Sequence, residues 1–219
     1  MDLYEAMSSC RAVRRLRADP IPDDVLARLV QAAVWAPTGG NVQPWRAILV
    51  REPAAKRSLG ALYEKAWAEY SGQVRRGLAA LPEERRAPHE RTLAAGDYLA
   101  AHFAETPVVA VFCFDPKQMA ITDAGLTRPS VVGGGSVYPA VQNFLLAARA
   151  EGLGCVLTTL LCQHEAAVKT LLDIPDGWGT CAAVPLGYPL RRGHGPLTRK
   201  PSERLVYADR WGKPYAPPS

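Results

Sequence analysis

The sequence predicts an α+β fold, a mixed sheet with helices on its faces. Three runs rich in β-branched and aromatic residues, "WRAILV", "PVVAVFCF" and "GTCAAVPLGYP", read as strands. Between them lie stretches whose apolar residues recur at helical spacing. The alternation of helices with strands along the chain lays the helices on a sheet.

Residues 2–9 form a short helix with Leu3, Ala6 and Met7 on one side. "DPIPDDVLARLVQAAVWAP" is a second helix. Asp23 and Asp24 suit its positive N-terminus. Val25, Leu26, Leu29, Val30 and Ala33 make its apolar stripe, and Pro37 stops it. The loop "APTGGNVQP" precedes the first strand. Residues 54 to about 104 read as helical with polar interruptions, their Arg and Glu doublets as solvated faces. The strand at 107–114 is buried by its content. A loop without period follows. "VYPAVQNFLLAARAEGLG" is then apolar almost all round and reads as a core helix. Pro139 fits its first turn and Gly152 its C-terminal cap. "CVLTTL" is strand or extended loop, "EAAVKTLLDI" a helix, "PDGW" a turn. From Arg191 the tail is rich in Pro, Gly and basic residues, with no core of its own. No repeat or linker divides the chain, so residues 1–219 read as one domain.

Composition is ordinary for a globular protein, 48% hydrophobic and 21% charged. No apolar run reaches the roughly 18 residues of a membrane span. The N-terminus puts acids first and basic residues late, the reverse of a signal peptide. Five cysteines (Cys10, Cys113, Cys155, Cys162, Cys181) show no CxxC and no metal-ligand spacing, and read as reduced packing thiols in a cytoplasmic protein. The net charge of +5 is scattered rather than patched, which speaks against a nucleic-acid binder. Basic residues gather at two places only. Arg11, Arg14, Arg15 and Arg17 lie near the start; Arg191, Arg192, Arg199, Lys200 and Arg204 lie near the end. They suit either a solvated face or two ends that meet at a small phosphate.

"GLGCVL" lacks the third glycine of a dinucleotide loop and precedes a strand, the wrong order for a pyrophosphate site. "GGGSVYPAVQ" precedes a helix but lacks GKS or GKT. The four histidines show no HExxH, and there is no GxSxG. What remains is a set of separated pieces: arginines at both ends, a Gly/Asn/Gln loop and an extended "LTT". Arginine forks grip phosphate, Asn and Gln offer donors and acceptors to a heteroaromatic edge, and glycine lets backbone approach a ring. Together they suit a flat, polar, phosphorylated ligand.

In this order the pieces resemble the FMN-dependent nitroreductase family. Its R-R-S-x-R-x-F and P-[IV]-P become "CRAVRRLRADPIP"; its A-P-S-x-x-N-x-Q-P-W becomes "APTGGNVQPW". Its helix ending in G-L-G before T-T is "YPAVQNFLLAARAEGLGCVLTTL", and its C-terminal pattern is "GYPLRRGHGPLTRKPSERLVYADRW". The resemblance spans nearly the whole chain. It implies a mixed, mainly antiparallel central sheet, an intertwined homodimer with FMN at the interface, a helical lid and loop region over about 55–130 and a C-terminal arm over 190–219. It implies FMN contacts from Arg11, Ala12 and Arg14, from Pro37, Thr38, Asn41 and Gln43 partly across the dimer, from Leu157, Thr158 and Thr159 near the flavin ring, and from Arg199 and Lys200 at the phosphate. Cys10 and Ala12 depart from the family's Arg and Ser, which removes two polar contacts. Trp45 is assigned to packing beneath the site. The implied activity passes two electrons from NADH or NADPH through the flavin to a small acceptor such as a nitroaromatic or quinone, with ping-pong kinetics and no protein acid or base. Related scaffolds dehalogenate iodotyrosines, fragment reduced flavin or oxidise metabolites, and a flavin-binding protein without turnover is a further alternative. No metal, membrane or nucleic-acid partner is expected.

Overall fold

In the computed structural model, which describes residues 1–191 and 193–215, the three expected strands form where their β-branched residues lie. They are β1 (Trp45–Val50), β2 (Val108–Phe114) and β4 (Gly179–Gly187). "CVLTTL" contributes less than a strand: β3 is only Gly154–Cys155, followed by a single bridge from Thr158 to Ala183. The sheet order is β1-β2-β4-β3. All three pairings are antiparallel, in keeping with the expected α+β fold and its mainly antiparallel central sheet flanked by helices; no parallel pair occurs among the described residues. A bulge between Phe112 and Cys113 shifts the β2–β4 register.

Side chains of β2 alternate between two cores, as the period of a strand requires. Val108, Ala110 and Phe112 point into one, with α2 (Asp23–Val34) and α5 (Tyr138–Ala150). Val109, Val111 and Cys113 point into the other, with α3 (Pro53–Leu78), the end of α4 (Glu83–His102) and α6 (Glu165–Leu171). Burial on both faces explains the unbroken apolar sequence of β2.

The helix signals hold locally. Asp2 caps α1 (Leu3–Ser9), its carboxylate accepting from the Glu5 amide at 2.8 Å. Leu26 and Leu29 of α2 are buried, whereas Val30 is partly exposed, so the stripe is narrower than its spacing suggests. In α1 only Ala6 is buried; Leu3 and Met7 face outward. Pro139 sits in the first turn of α5, and Gly152 follows it at φ +76°, where a side chain is strained. The core face of α5 is Ala140, Val141, Phe144 and Ala148, so its apolar residues are not all buried: Tyr138 is exposed.

The 54–104 stretch is two helices, broken before Pro82. The first part of α3 is core rather than cover, since Leu59 and Tyr63 are buried. Trp67 of α3 packs across Gly96 of α4, where a Cβ has no room. Its indole donates to Asp97 at 2.8 Å, and Arg75 grips the same carboxylate at 2.8 and 2.6 Å. Arg75 is therefore more than a solvated face. All five cysteines are free thiols. Among the described residues no helix is long and apolar enough to cross a membrane and no His/Cys/Asp/Glu group could hold a metal ion.

Candidate functional site

The segment after α1 runs extended along the end of the sheet. Val13 donates to the Cys155 carbonyl at 2.8 Å, Arg17 to Tyr188 at 2.8 Å, and Leu190 donates back to Arg15 at 2.9 Å. Gly154 is required here: a Cβ would lie 2.6 Å from a Val13 methyl. With Val13 buried, Arg11, Ala12 and Arg14 border an open cleft of about 380 Å³. The tail completes it. Leu197 donates to the Ser8 carbonyl at 3.2 Å, which draws Arg199 to the same cleft. The two basic ends of the chain thus meet. Lys200 is exposed and does not line the cleft, and Arg192 lies outside the described residues.

The far wall is Cys155, Val156 and Leu157, with Gln142 and Leu145 of α5. Thr158 exchanges both main-chain hydrogen bonds with Ala183, at 2.9 and 2.8 Å, and its side chain is buried. Its backbone is already used. The amides of Leu157 and Thr159, by contrast, have no hydrogen-bond partner among the described residues. Among the described residues no carboxylate lines the cleft. Arg11, Arg14 and Arg199 make no ion pair among the described residues, while Arg17, Arg28, Arg51, Arg75 and Arg128 all do. Unpaired guanidiniums around an apolar edge fit a ligand that is planar at one end and phosphorylated at the other.

One residue of the cleft wall, Gln142, and one buried residue near it, Tyr63, carry no signal in the sequence. Tyr63 of α3 is 3% exposed and stacks on Phe103, ring centroids 4.6 Å apart. Burial pushes its phenol above the usual range, opposed by the Thr158 side chain and the Arg14 charge. Tyr63 thus lies close to both. Gln142 reaches the cleft from within a helix read as core. Neither carries a local sequence signal, because each arrives by packing of distant segments. Cys10 also lines the cleft; burial raises its thiol, against the charge of Arg149.

Pro37, Thr38, Asn41 and Gln43 lie elsewhere. α2 ends at Val34, and the loop turns back through Gly40, Asn41 and Gln43 at φ 57°, 55° and 50°. Left-handed backbone at two non-glycine residues is strained and must be held. The Gln43 amide donates to the Thr38 hydroxyl at 3.1 Å, and the Gln43 side chain donates to the Asn41 carbonyl and side-chain oxygen, each at 3.1 Å. Gly39 donates to the Ser136 hydroxyl at 3.0 Å. Asn41 and Gln43 are exposed, and Trp45 beyond them packs near Phe112, ring centroids 6.1 Å apart. The loop enters β1 at Trp45, while Thr158 sits level with Ile48 on the far side of the sheet. Three strand spacings and three residues of rise put the two on the order of 15–20 Å apart. One protomer does not close loop and cleft around one small ligand.

Comparison with known proteins bears on the family and the fold. The model of the nitroreductase family matches residues 8–188. A protein from Thermus thermophilus named NADH dehydrogenase is 31% identical over 207 residues, 94% of this chain and 95% of that one. A 5,6-dimethylbenzimidazole synthase from Rhodospirillum rubrum is 32% identical over 180 residues, 82% of this chain and 78% of the other. Among solved structures, the NADPH:FMN oxidoreductase from Vibrio harveyi complexed with NAD+ superposes with a TM-score of 0.66 at 19% identity, covering 96% of this chain and 78% of that one.

Proposed function

The chain belongs to the nitroreductase family, and on that footing we propose that it is an FMN-dependent oxidoreductase passing two electrons from NADH or NADPH to a small oxidised acceptor such as a nitroaromatic or quinone. The observation that carries this reading is the cleft, where arginines from both ends of the chain, unpaired among the described residues, face the apolar Leu157 edge. Arg11 and Arg199 would hold the flavin phosphate through forked hydrogen bonds. Arg14, half-buried beside Tyr63 and Thr158, would bring positive charge to the ring's polar edge. Leu157 and Thr159 offer the amides not taken by backbone, and Thr158 fixes their register through Ala183. Ala12 gives close backbone approach without a polar side chain. The flavin, when bound, supplies the hydride chemistry. The protein would bind and orient it, and donor and acceptor would occupy the same site in turn, which gives ping-pong kinetics.

The working unit in this reading is an intertwined homodimer. Trp35 and Trp211 are 74% and 91% exposed, and Leu3, Met7, Leu205 and Val206 add apolar surface on α1 and the tail. A second copy would cover that surface, and its loop with Pro37, Thr38, Asn41 and Gln43 would complete the cleft. The protein would act in the cytoplasm, where free thiols persist.

Purified protein should take up FMN and show flavin absorbance; protein that stays colourless with added FMN refutes the assignment. Combined Arg11→Ala and Arg199→Ala should weaken FMN binding by about 100-fold or more, since each removes a charge-assisted contact of roughly 1.5–3 kcal/mol. A second reading rests on the relative named 5,6-dimethylbenzimidazole synthase. Mass spectrometry of reduced FMN incubated aerobically with the protein tests it: dimethylbenzimidazole would favour that reading, and NAD(P)H consumption with a quinone the first.

A further inference from the structure

A second cavity of about 600 Å³ is lined by Ser9, the residue before Cys10 of the flavin cleft. Its walls come from the end of α1 (Ser8, Ser9), the last turn of α5 (Arg149) and the start of the tail (Arg191, His194). Among the described residues none that lines it is acidic. The Arg149 side chain is only 14% exposed. Its close partner is a neutral hydroxyl, Ser9 Oγ at 2.9 Å. The nearest carboxylate, that of Glu5, is 3.9 Å away on an exposed side chain. A guanidinium this far from water without a close counter-charge is costly unless something anionic meets it.

His194 adds direction. Its Nε2 lies 2.9 Å from the Leu153 carbonyl, and a carbonyl only accepts, so Nε2 carries the proton. Burial, with the charges of Arg149 and Arg11, holds the ring below the usual histidine range and keeps it neutral. Nδ1 is then a bare acceptor, and it is buried with no partner. The cavity is thus lined by a largely buried guanidinium, Arg149, whose ion pair among the described residues is the long contact with Glu5, by an exposed one, Arg191, and by a histidine whose Nδ1 lacks a donor.

We propose that this cavity is a second anion site, separate from the flavin-phosphate cleft, for a phosphate that carries a hydroxyl on or beside it. Inorganic hydrogen phosphate meets the description, its P–OH donating to His194 Nδ1 while its oxygens face Arg149 and Arg191. A ribose phosphomonoester with a neighbouring hydroxyl meets it equally. Sulfate has the same shape and charge but no proton to donate at neutral pH, so the site should reject it.

The test is calorimetric titration of FMN-saturated protein with inorganic phosphate, with adenosine 2′-monophosphate and with sulfate. Binding of either phosphate, with sulfate weaker by about tenfold or more, is expected, because an unmet buried acceptor is costly. The two phosphate titrations tell a free ion from a nucleotide as the source. Arg149→Met should weaken phosphate by about tenfold or more. Arg191→Ala, a change at an exposed side chain that leaves the fold intact, should weaken it by a smaller factor. His194→Phe should erase the preference for phosphate over sulfate. Absence of binding, equal affinity for sulfate, or displacement of phosphate by FMN overturns the proposal. Should the protein take no FMN, the titration is made on Arg199→Ala protein. Phosphate binding that survives there supports the second site, and binding that vanishes places the anion in the cleft and overturns it.

Discussion

The cleft and the Gly/Asn/Gln loop differ in how complete they are within a protomer. The cleft is built by the chain itself: Val13 on Cys155, Leu197 on Ser8 and Thr158 on Ala183 bring three distant segments together. The loop is held just as firmly, but by itself, through Thr38, Asn41 and Gln43, and it points its polar side chains at solvent. Holding strained backbone around exposed polar groups is costly, and the chain does so on the order of 15–20 Å from its own cleft. The difference teaches that loop and cleft of one protomer are separate; in the proposed dimer the loop would serve the cleft of a second copy of the chain.

The sharpest way to break the comparison is subunit complementation. One variant carries Arg11→Ala and Arg199→Ala, the other Asn41→Ala and Gln43→Ala. Each alone should lose nearly all flavin-dependent turnover. Co-refolded in equal amounts, half of the dimers are mixed and each holds one intact site, so about a quarter of wild-type activity should return. A mixture as inactive as its components would place loop and cleft of one site in the same protomer. The next largest effect concerns the surface between them. Trp35 follows α2, just before the loop, and is exposed in the single chain. Trp35→Ser should leave the monomer core intact and weaken self-association by roughly 2–4 kcal/mol, as loss of an aromatic anchor does. Sedimentation velocity across a concentration series measures this, and an already monomeric wild type removes its basis.

A smaller change probes the cleft from beside it. Tyr63→Phe keeps the ring that stacks on Phe103 and deletes the hydroxyl near Thr158 and Arg14. Flavin affinity should fall by about three- to tenfold, as loss of one polar group worth roughly 1 kcal/mol does, with little change in melting temperature. Unchanged affinity would confine Tyr63 to packing.

The strands and the helices α2 and α5 were legible because their signals are local: β-branched runs, a stripe at helical spacing, proline and glycine at the ends. β3 was not, since "CVLTTL" has strand composition but Leu160 already begins a tight helical turn, leaving two residues to pair. Arg11, Arg14 and Arg199 were legible as a group only through motif order; no spacing in the sequence says that residue 199 returns to residue 11. Tyr63, Gln142 and the Arg149–His194 cavity were invisible for the same reason, because each depends on how helices pack against segments far along the chain. The left-handed turn at Asn41 and Gln43 was half legible: Gly40 announced it, while its two non-glycine partners are held by contacts that no propensity encodes.

The smallest prediction separates two kinds of arginine. Arg75 is satisfied, by Asp97 and the Ser71 hydroxyl, whereas the cleft arginines have no carboxylate among the described residues. Burial pushes the Asp97 carboxyl up, but Arg75 and the Trp67 indole outweigh it and hold it below the usual carboxylate range. A carboxyl whose value is lower folded than unfolded stabilises fully above the unfolded value. That contribution fades as pH falls through the folded one, here below about pH 4. Both partners are about half exposed, so the pair is worth well under 1 kcal/mol or so. Asp97→Asn should therefore cost a few tenths of a kcal/mol in urea unfolding near pH 7. The gap between variant and wild type should narrow near pH 3.5, and flavin affinity should stay unchanged. A gap independent of pH would mean that Asp97 acts by shape alone, as the acceptor that seats Trp67 over Gly96. Loss of flavin affinity would tie the α3–α4 pair to the cleft, against the division between structural and ligand-seeking arginines.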